Sequence, residues 1–407
     1  ELGSITKTFT GLLLADAAAR GEVALDATLD QYLPELAGTE AGTTTLAELA
    51  THTSGLPELG QPMDAKLVEQ SLTGEALHIY TEGDPTTVLE QAQQVSRTGR
   101  GEWRYSNLGM TLLGLALART AGLPDWPTLA TERLLIPLGM TDTEFAPPGQ
   151  PHAELMQPQL AGGRPVEAWT GGGYAPAGSS TSTTAADLTR YAQALLDGSA
   201  PGMSALEPRV SAAIMPDTQM GLAWVVTGPP GDQVAWHNGG TGGSRTMLAI
   251  DRDAQQAVIV LNNSTRDVTG TGLALLGIDA AGPPAWAQRI TPAALVLVSV
   301  AFVLVLVIGS LRERNRLGLV WRAVFAGSGL LLMWLVTPWD WIPGWVFGAA
   351  VGLTVGAMLV AATRWRQLPW LPGRFAWLGV LTGLAGLALL VLLARMVVTA
   401  LSIGQTI

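Results

Sequence analysis

Hydrophobic residues follow two different patterns along this chain. From Thr291 onward they form four long, nearly uncharged runs, over about 291–311, 319–337, 342–362 and 375–397. Each is near the ~20 residues that carry a helix across ~30 Å of hydrocarbon. Four such runs in succession do not suit a soluble core, whose helices keep a polar face. Tryptophans gather at the run ends (Trp321, Trp339, Trp341, Trp345, Trp365, Trp370), as they do at membrane–water interfaces. The first connecting loop carries Arg312, Arg314 and Arg316, and the third carries Arg364, Arg366 and Arg374. The second, Pro338-Trp339-Asp340, has no cation. Positive loops stay in the cytoplasm. The pattern therefore predicts a multi-pass cell-membrane protein with loops one and three inside, and residues 1–289 and the tail Ser402–Ile407 outside.

Before that point the apolar positions recur at shorter periods. Residues 4–20 read as a helix that stops at Gly21. Residues 45–51 suggest a short helix before Thr53-Ser54-Gly55. Asn107–Thr120 reads as a helix rich in Leu and Ala, and Ala185–Leu196 as another, capped by Thr183 or Thr184 and stopped by Gly198. After residue 220 the texture changes to short apolar and β-branched runs, Gly221–Thr227, Gln233–His237, Ser244–Asp251 and Ala257–Asn262. Gly-Pro-Pro-Gly and Asp-Arg-Asp-Ala supply turns between them. Helices followed by a β-meander predict an α+β layering, with helices on an antiparallel sheet. The expected organisation is a globular domain over 1–280, a Pro-rich linker over 281–290 and four membrane helices within 291–407.

Charge separates the same two parts. Residues 1–289 hold 15 of the 23 basic and 31 of the 33 acidic residues, while residues 290–407 hold eight arginines and two acids. An acidic globular part argues against nucleic acid as a partner, since phosphate binding needs a basic face. The chain has no cysteine, which excludes disulfides, thiolate metal sites and cysteine nucleophiles. Its four histidines, His52, His78, His152 and His237, lack ligand-like spacing, so neither a metal nor another cofactor is expected.

Three short motifs can carry chemistry. Ser4-Ile5-Thr6-Lys7 places a serine and an amine on one face of a helix start. A desolvated lysine of lowered pKa can accept a serine's proton. The pair of lysines in the whole chain, Lys7 and Lys66, contrasts with 21 arginines, which sharpens the match. In Tyr105-Ser106-Asn107, the tyrosine can act as a base if neighbouring cations stabilise its phenolate, and the asparagine can donate to a substrate amide. In His237-Asn238-Gly239-Gly240-Thr241-Gly242-Gly243, glycines beside a strand let a substrate backbone approach, and a free N–H there can serve an oxyanion hole.

Together, and in this order, the three resemble the signatures of the serine β-lactamase and penicillin-binding protein superfamily, in its class C β-lactamase and D,D-peptidase branch. Thr51-His52-Thr53-Ser54-Gly55-Leu56-Pro57, Leu138-Gly139-Met140 with Thr143, Ala177-Gly178-Ser179 and Ser182–Leu188 resemble further stretches of that branch. The resemblance covers about residues 1–265. It implies a β-lactamase/transpeptidase-like antiparallel sheet flanked by helices, whose N-terminal helix and first two strands are expected to precede Ser4. It implies Ser4 as the acylated nucleophile, Lys7 as its base, Tyr105 as proton carrier to the leaving group and from water, and Asn107 as holder of the substrate amide. His237 stands where many β-lactamases have lysine. Its implied tasks are to orient Tyr105 and to meet a substrate carboxylate with the partial charge of an ordinary histidine. The N–H groups of Ser4 and Gly240 form the implied oxyanion hole, with Gly239 and Thr241 beside the substrate.

The leading expectation is a membrane-anchored extracytoplasmic serine hydrolase acting on an amide or ester: a D-amino-acid peptide, a β-lactam or a simple ester. The alternative is a catalytically silent protein that binds cell-wall fragments or β-lactams and signals through the membrane helices. A transporter with an appended domain is disfavoured, because the spans carry no intramembrane acids for a proton or ion path. Topology is directly testable because the chain has no cysteine of its own. Single cysteines at Ser204, Asn315 and Gln367, probed with an impermeant thiol reagent in intact cells, should label at position 204 only. Labelling at 315 but not at 204 would invert the orientation and remove an extracytoplasmic substrate.

Overall fold

The computed structural model describes residues 1–60, 84–160, 163–278, 285–337 and 342–370. The chain forms two compact units, one mainly within residues 1–281 and one mainly within 282–401. In the first unit the helices are α1 (Thr6–Ala19), α2 (Leu46–Ala50), α3 (Pro85–Ala92), α4 (Asn107–Thr120), α5 (Trp126–Ala130), α6 (Ile136–Leu138), α7 (Ala185–Asp197) and α8 (Thr269–Ala274). Strands β1 (Glu144–Phe145) and β2 (Thr181–Ser182) make a small ribbon. The main sheet is a six-stranded antiparallel meander in sequence order, β3 (Val210–Ser211), β4 (Thr218–Met220), β5 (Val225–Thr227), β6 (Val234–Gly240), β7 (Arg245–Asp251) and β8 (Gln256–Asn262). The expected α+β layering is present.

Helix α1 runs through the middle of this unit. Phe9, Leu12, Leu13 and Leu14 are all buried, and so are Thr6, Lys7, Thr8 and Thr10. A helix without a polar face can sit only inside a core. Two of its hydroxyls are satisfied internally: Thr8 shares a hydrogen bond with Tyr191, and Thr10 donates to the Pro176 carbonyl, while the Thr6 hydroxyl has no partner among the described residues. The sheet alternates as a two-faced sheet must. Ala235, Leu248 and Ile250 join the helical core around α1, whereas Trp236, Met247 and Ala249 join a second cluster with Leu273 of α8. By the same parity His237 and Gly239 lie on the face of α1.

The expected long helices are found, and α7 begins at the Thr184 cap and ends at Gly198, which is left-handed. The expected strand Gly221–Thr227 begins only at Val225, because Gly221–Trp224 close a turn through a Gly221 N–H to Trp224 carbonyl bond of 2.8 Å. Two stretches singled out in the sequence meet at one buried carboxylate. Asp187 of α7 is fully buried and accepts from the Thr143 hydroxyl, the Asp142 N–H and the Arg190 guanidinium.

The second unit holds α9 (Ala285–Arg312), α10 (Arg316–Val336) and α11 (Trp345–Trp365). Helix α9 starts inside the stretch read as linker. All three are long and apolar enough to cross a membrane by length and composition. The fourth expected span, 375–397, lies outside the described residues. The basic loop after α9 and the end of α11 meet: Arg322 pairs with Glu313 at 2.7 Å, Arg364 donates to the Ser310 and Glu313 carbonyls, and Arg316 to the Trp365 carbonyl. That places Arg316, Arg322, Arg364 and Arg366 at one end of the described helices.

Asp187→Ala should destabilise the first unit by about 1–3 kcal/mol, since it leaves the buried Thr143 hydroxyl and the Asp142 N–H without their acceptor. Arg190→Ala, at a half-exposed guanidinium, should cost about 1 kcal/mol or less. Denaturant melts of the two variants would check this; equal losses would remove Asp187 as the anchor.

Candidate active site

A tight turn, Gly3–Ile5, leads straight into α1 and presents Ser4 at the helix start. One turn later, Lys7 Nζ lies 2.7 Å from Ser4 Oγ and donates to the Ala177 carbonyl at 2.7 Å. Tyr105, at the entry to α4, donates its hydroxyl to Ser4 Oγ at 2.8 Å. The Ser106 hydroxyl caps α4 by accepting the Gly109 N–H, which fixes the backbone between Tyr105 and Asn107. Ser4, Asn107, Trp169, Ala177, Gly178, Ser179 and Gly240 line one pocket. Segments far apart in sequence thus converge on one pocket, and Lys7 and Tyr105 meet at the Ser4 oxygen.

Two glycines make room for that convergence. Gly178 has φ +104°, and a Cβ there would stand 2.1 Å from the Gly3 carbonyl and 3.1 Å from Ser4 N. A Cβ on Gly239 would stand 2.2 Å from the Leu2 carbonyl and 3.2 Å from Ser4 N. Any side chain at either position would crowd the Ser4 amide. Strand β5 pairs with β6 only at Val234–Trp236, so His237–Gly240 bond to β7 alone among the described strands.

Burial sets the electrostatics. Lys7 has no solvent exposure, and desolvation holds its amine well below the usual lysine range, partly opposed by the Glu58 carboxylate. It is therefore available as a neutral base. Burial pushes the Tyr105 hydroxyl upward, with the Ser4 hydrogen bond opposing, so it rests protonated as a donor. The cation that a resting phenolate needs is itself neutralised. His237 is also fully buried, and desolvation followed by Lys7 lowers it to about 3. The ring is therefore neutral where an ordinary histidine would carry partial charge. Its Nδ1 lies 2.5 Å from the Asn238 carbonyl, which can only accept, so Nδ1 carries the proton and the buried Nε2 offers a lone pair.

Thr241 is not brought to this pocket. Its hydroxyl is buried, donates to the Glu1 carboxylate at 2.7 Å and accepts from the Gly243 and Ser244 N–H groups. Glu58 and Trp169 belong to the neighbourhood but carried no sequence signal, because neither falls in a motif.

The comparisons with known proteins agree with this geometry. The family model described as Beta-lactamase matches residues 1–281. The chain belongs to the β-lactamase family. A β-lactamase of Providencia stuartii is 34% identical over 144 residues, 35% of this chain and 33% of that protein. One of Lysobacter lactamgenus is 31% identical over 214 residues, 53% of this chain and 50% of that protein. The chain spans from a third to half the length of these relatives. A class C β-lactamase of Rhodobacter sphaeroides superposes with a TM-score of 0.53 at 21% identity, covering 65% of this chain and 80% of that one. A D-stereospecific amidohydrolase of Streptomyces superposes with a TM-score of 0.52 at 20% identity, covering 65% and 82%. These likenesses are of fold. Across the β-lactamase family model, the match spans all three motifs of this chain.

The sign of the pH dependence follows from burial. With its pKa lowered, Lys7 loses its proton earlier than an ordinary lysine, so kcat/KM for a neutral ester should rise with pH through that lowered value and hold above it. His237 is already neutral above about pH 3 and adds no later limb. Lys7→Arg, which stays charged, should lower acylation by about 10²–10⁴ above that lowered value and should lose the rising limb. A rising limb that survives in Lys7→Arg, or one that vanishes in His237→Gln, would overturn the assignment.

Proposed function

We propose that this protein is a membrane-anchored serine hydrolase that works outside the cytoplasm through an acyl-enzyme. The observation that carries this is the placement of Lys7 Nζ and the Tyr105 hydroxyl within 2.8 Å of one serine oxygen. The Ser4 hydroxyl gives its proton to the neutral Lys7 amine as Oγ bonds to the substrate carbonyl carbon. The carbonyl oxygen takes the negative charge and is met by the Ser4 and Gly240 N–H groups. The C–N or C–O bond then breaks, and the proton returns through Tyr105 to the leaving amine or alcohol. Water reverses the path, bonding to the acyl carbon and releasing a carboxylic acid and the free serine. Asn107, on the pocket wall, donates to the substrate amide, and Gly239 leaves room for its backbone.

The substrate is an amide or ester of the D-amino-acid peptide or β-lactam kind, and the site's charge favours neutral donors. Its pocket-lining residues carry no fixed cation, and His237 is neutral. A β-lactam carboxylate therefore finds less here than in sites with lysine at that place. The three apolar helices support the anchoring, and the basic loops support the orientation.

Intact-mass measurement after treatment with a fluorophosphonate or a fluorescent penicillin should show one adduct, absent in Ser4→Ala. An adduct surviving in Ser4→Ala would remove Ser4 from its role. Adduct without turnover of any ester or D-alanyl amide would point to the silent binding protein. His237→Lys should raise kcat/KM for an anionic donor at about pH 8, where lysine is charged and histidine is not, and should do little for a neutral ester. Equal changes for both donors would show that this position does not read a carboxylate.

A further inference from the structure

The stretch Thr51–Pro57 does not line the pocket, yet it wraps the segment that carries Tyr105. His52 is its centre. It has no solvent exposure and a left-handed backbone, φ +57°, which a histidine adopts at a cost. Its carbonyl accepts the Arg104 N–H at 2.7 Å, and its Nδ1 accepts the Ser106 N–H at 3.2 Å. Both chain neighbours of Tyr105 are thus held by one residue. The His52 ring also lies against the Tyr105 ring, with centroids 4.6 Å apart and planes at 37°. The Pro57 carbonyl accepts the Ser106 hydroxyl and the Glu58 carbonyl the Leu108 N–H, so the clamp continues into the first turn of α4.

Because Nδ1 accepts, the proton of the neutral ring sits on Nε2, which is buried and has no partner among the described residues. A second donor on Nδ1 would face the Ser106 N–H. Burial, reinforced by Lys7 and His237, holds the ring neutral and keeps that lone pair in place. A strained backbone and an unpartnered N–H at one residue both cost stability, and such costs concentrate where geometry is needed.

We propose that His52 is a positioning residue, which aims the Tyr105 hydroxyl at Ser4 Oγ by holding the backbone on both sides of Tyr105. This rests on the reading of Tyr105 as the proton carrier. Histidine serves because its ring combines an acceptor at the Nδ1 position with a flat face for the tyrosine.

The test is burst acylation of the full chain by p-nitrophenyl acetate, with kcat and KM measured separately and folding checked by circular dichroism. His52→Asn keeps an acceptor near the Nδ1 position and tolerates the left-handed backbone, so it should stay within a few-fold of wild type. His52→Phe keeps the ring but not the acceptor. It should lose on the order of 10²-fold in kcat, the cost of misplacing a group by about 1 Å, with KM little changed. Should His52→Phe not fold, His52→Gln, whose acceptor sits at the Nε2 position, makes the same comparison. In a Tyr105→Phe background the same His52 substitution should cost almost nothing more, because residues acting as a unit are non-additive. Additive losses, or His52→Asn falling as far as His52→Phe, would overturn the inference while leaving the site intact. A Tyr105→Phe variant as fast as wild type would instead overturn the reading of Tyr105.

Discussion

Everything at this site depends on keeping water away from one amine. Lys7 is a base only because it is desolvated, and it is desolvated because α1 is buried from Thr6 to Ala15. That requirement explains why the helix carrying the nucleophile sits between the sheet and the other helices. It also explains the polar lining of the helix. Each buried hydroxyl needs a partner, and Thr8 finds Tyr191 while Thr10 finds the Pro176 carbonyl. The segment after Pro176 then supplies the Ala177 carbonyl that orients Lys7 Nζ. The same few residues therefore satisfy the core and aim the base.

Desolvation reaches further than Lys7. It makes His237 and His52 neutral and keeps Tyr105 protonated. A site of neutral groups holds protons loosely between them, since no member is fixed as an ion. Glu58, half-buried, brings a carboxylate near Lys7, and burial raises its pKa as well. The pocket is thus poised for proton transfer and not for charge pairing, which supports the proposed acyl transfer with a bias to neutral donors.

The sequence made the long and strongly patterned elements legible. The buried α1, the Leu- and Ala-rich α4, the capped α7 and the strands β6–β8 each bring their own periodicity or caps. The elements that were missed, β1–β4, α3, α5, α6 and α8, are short and held by tertiary contacts, where local preference decides little. The convergence of Ser4, Lys7 and Tyr105 could be read because their spacing and order match a family pattern. The pairing of Thr143 with Asp187 could not, although both stretches were noticed, because a resemblance marks residues without saying what they touch. His52 shows the same limit: its stretch was legible as a motif, and its hold on Tyr105 only as a geometry. Its left-handed backbone has no signature in composition, since glycine and not histidine is the usual occupant of that region.

The charge state of His237 could be read only in part. Its strand neighbours Val234, Ala235 and Trp236 are apolar, but strand parity decides how deep it lies. Ala235 faces the helical core, so His237, two residues on, faces it too and lies within the field of Lys7. A lysine at this place would bring a second ammonium close to the first. Two like charges near one another each disfavour the charged form, so a lysine here, held charged by an anionic substrate, would depress Lys7 further. A neutral histidine avoids that conflict. It leaves the burial of Lys7 as the largest influence on the base, and its own buried Nε2 keeps a lone pair with no partner among the described residues. The substitution that first looked like a weakened cation is better understood as the removal of a competing one.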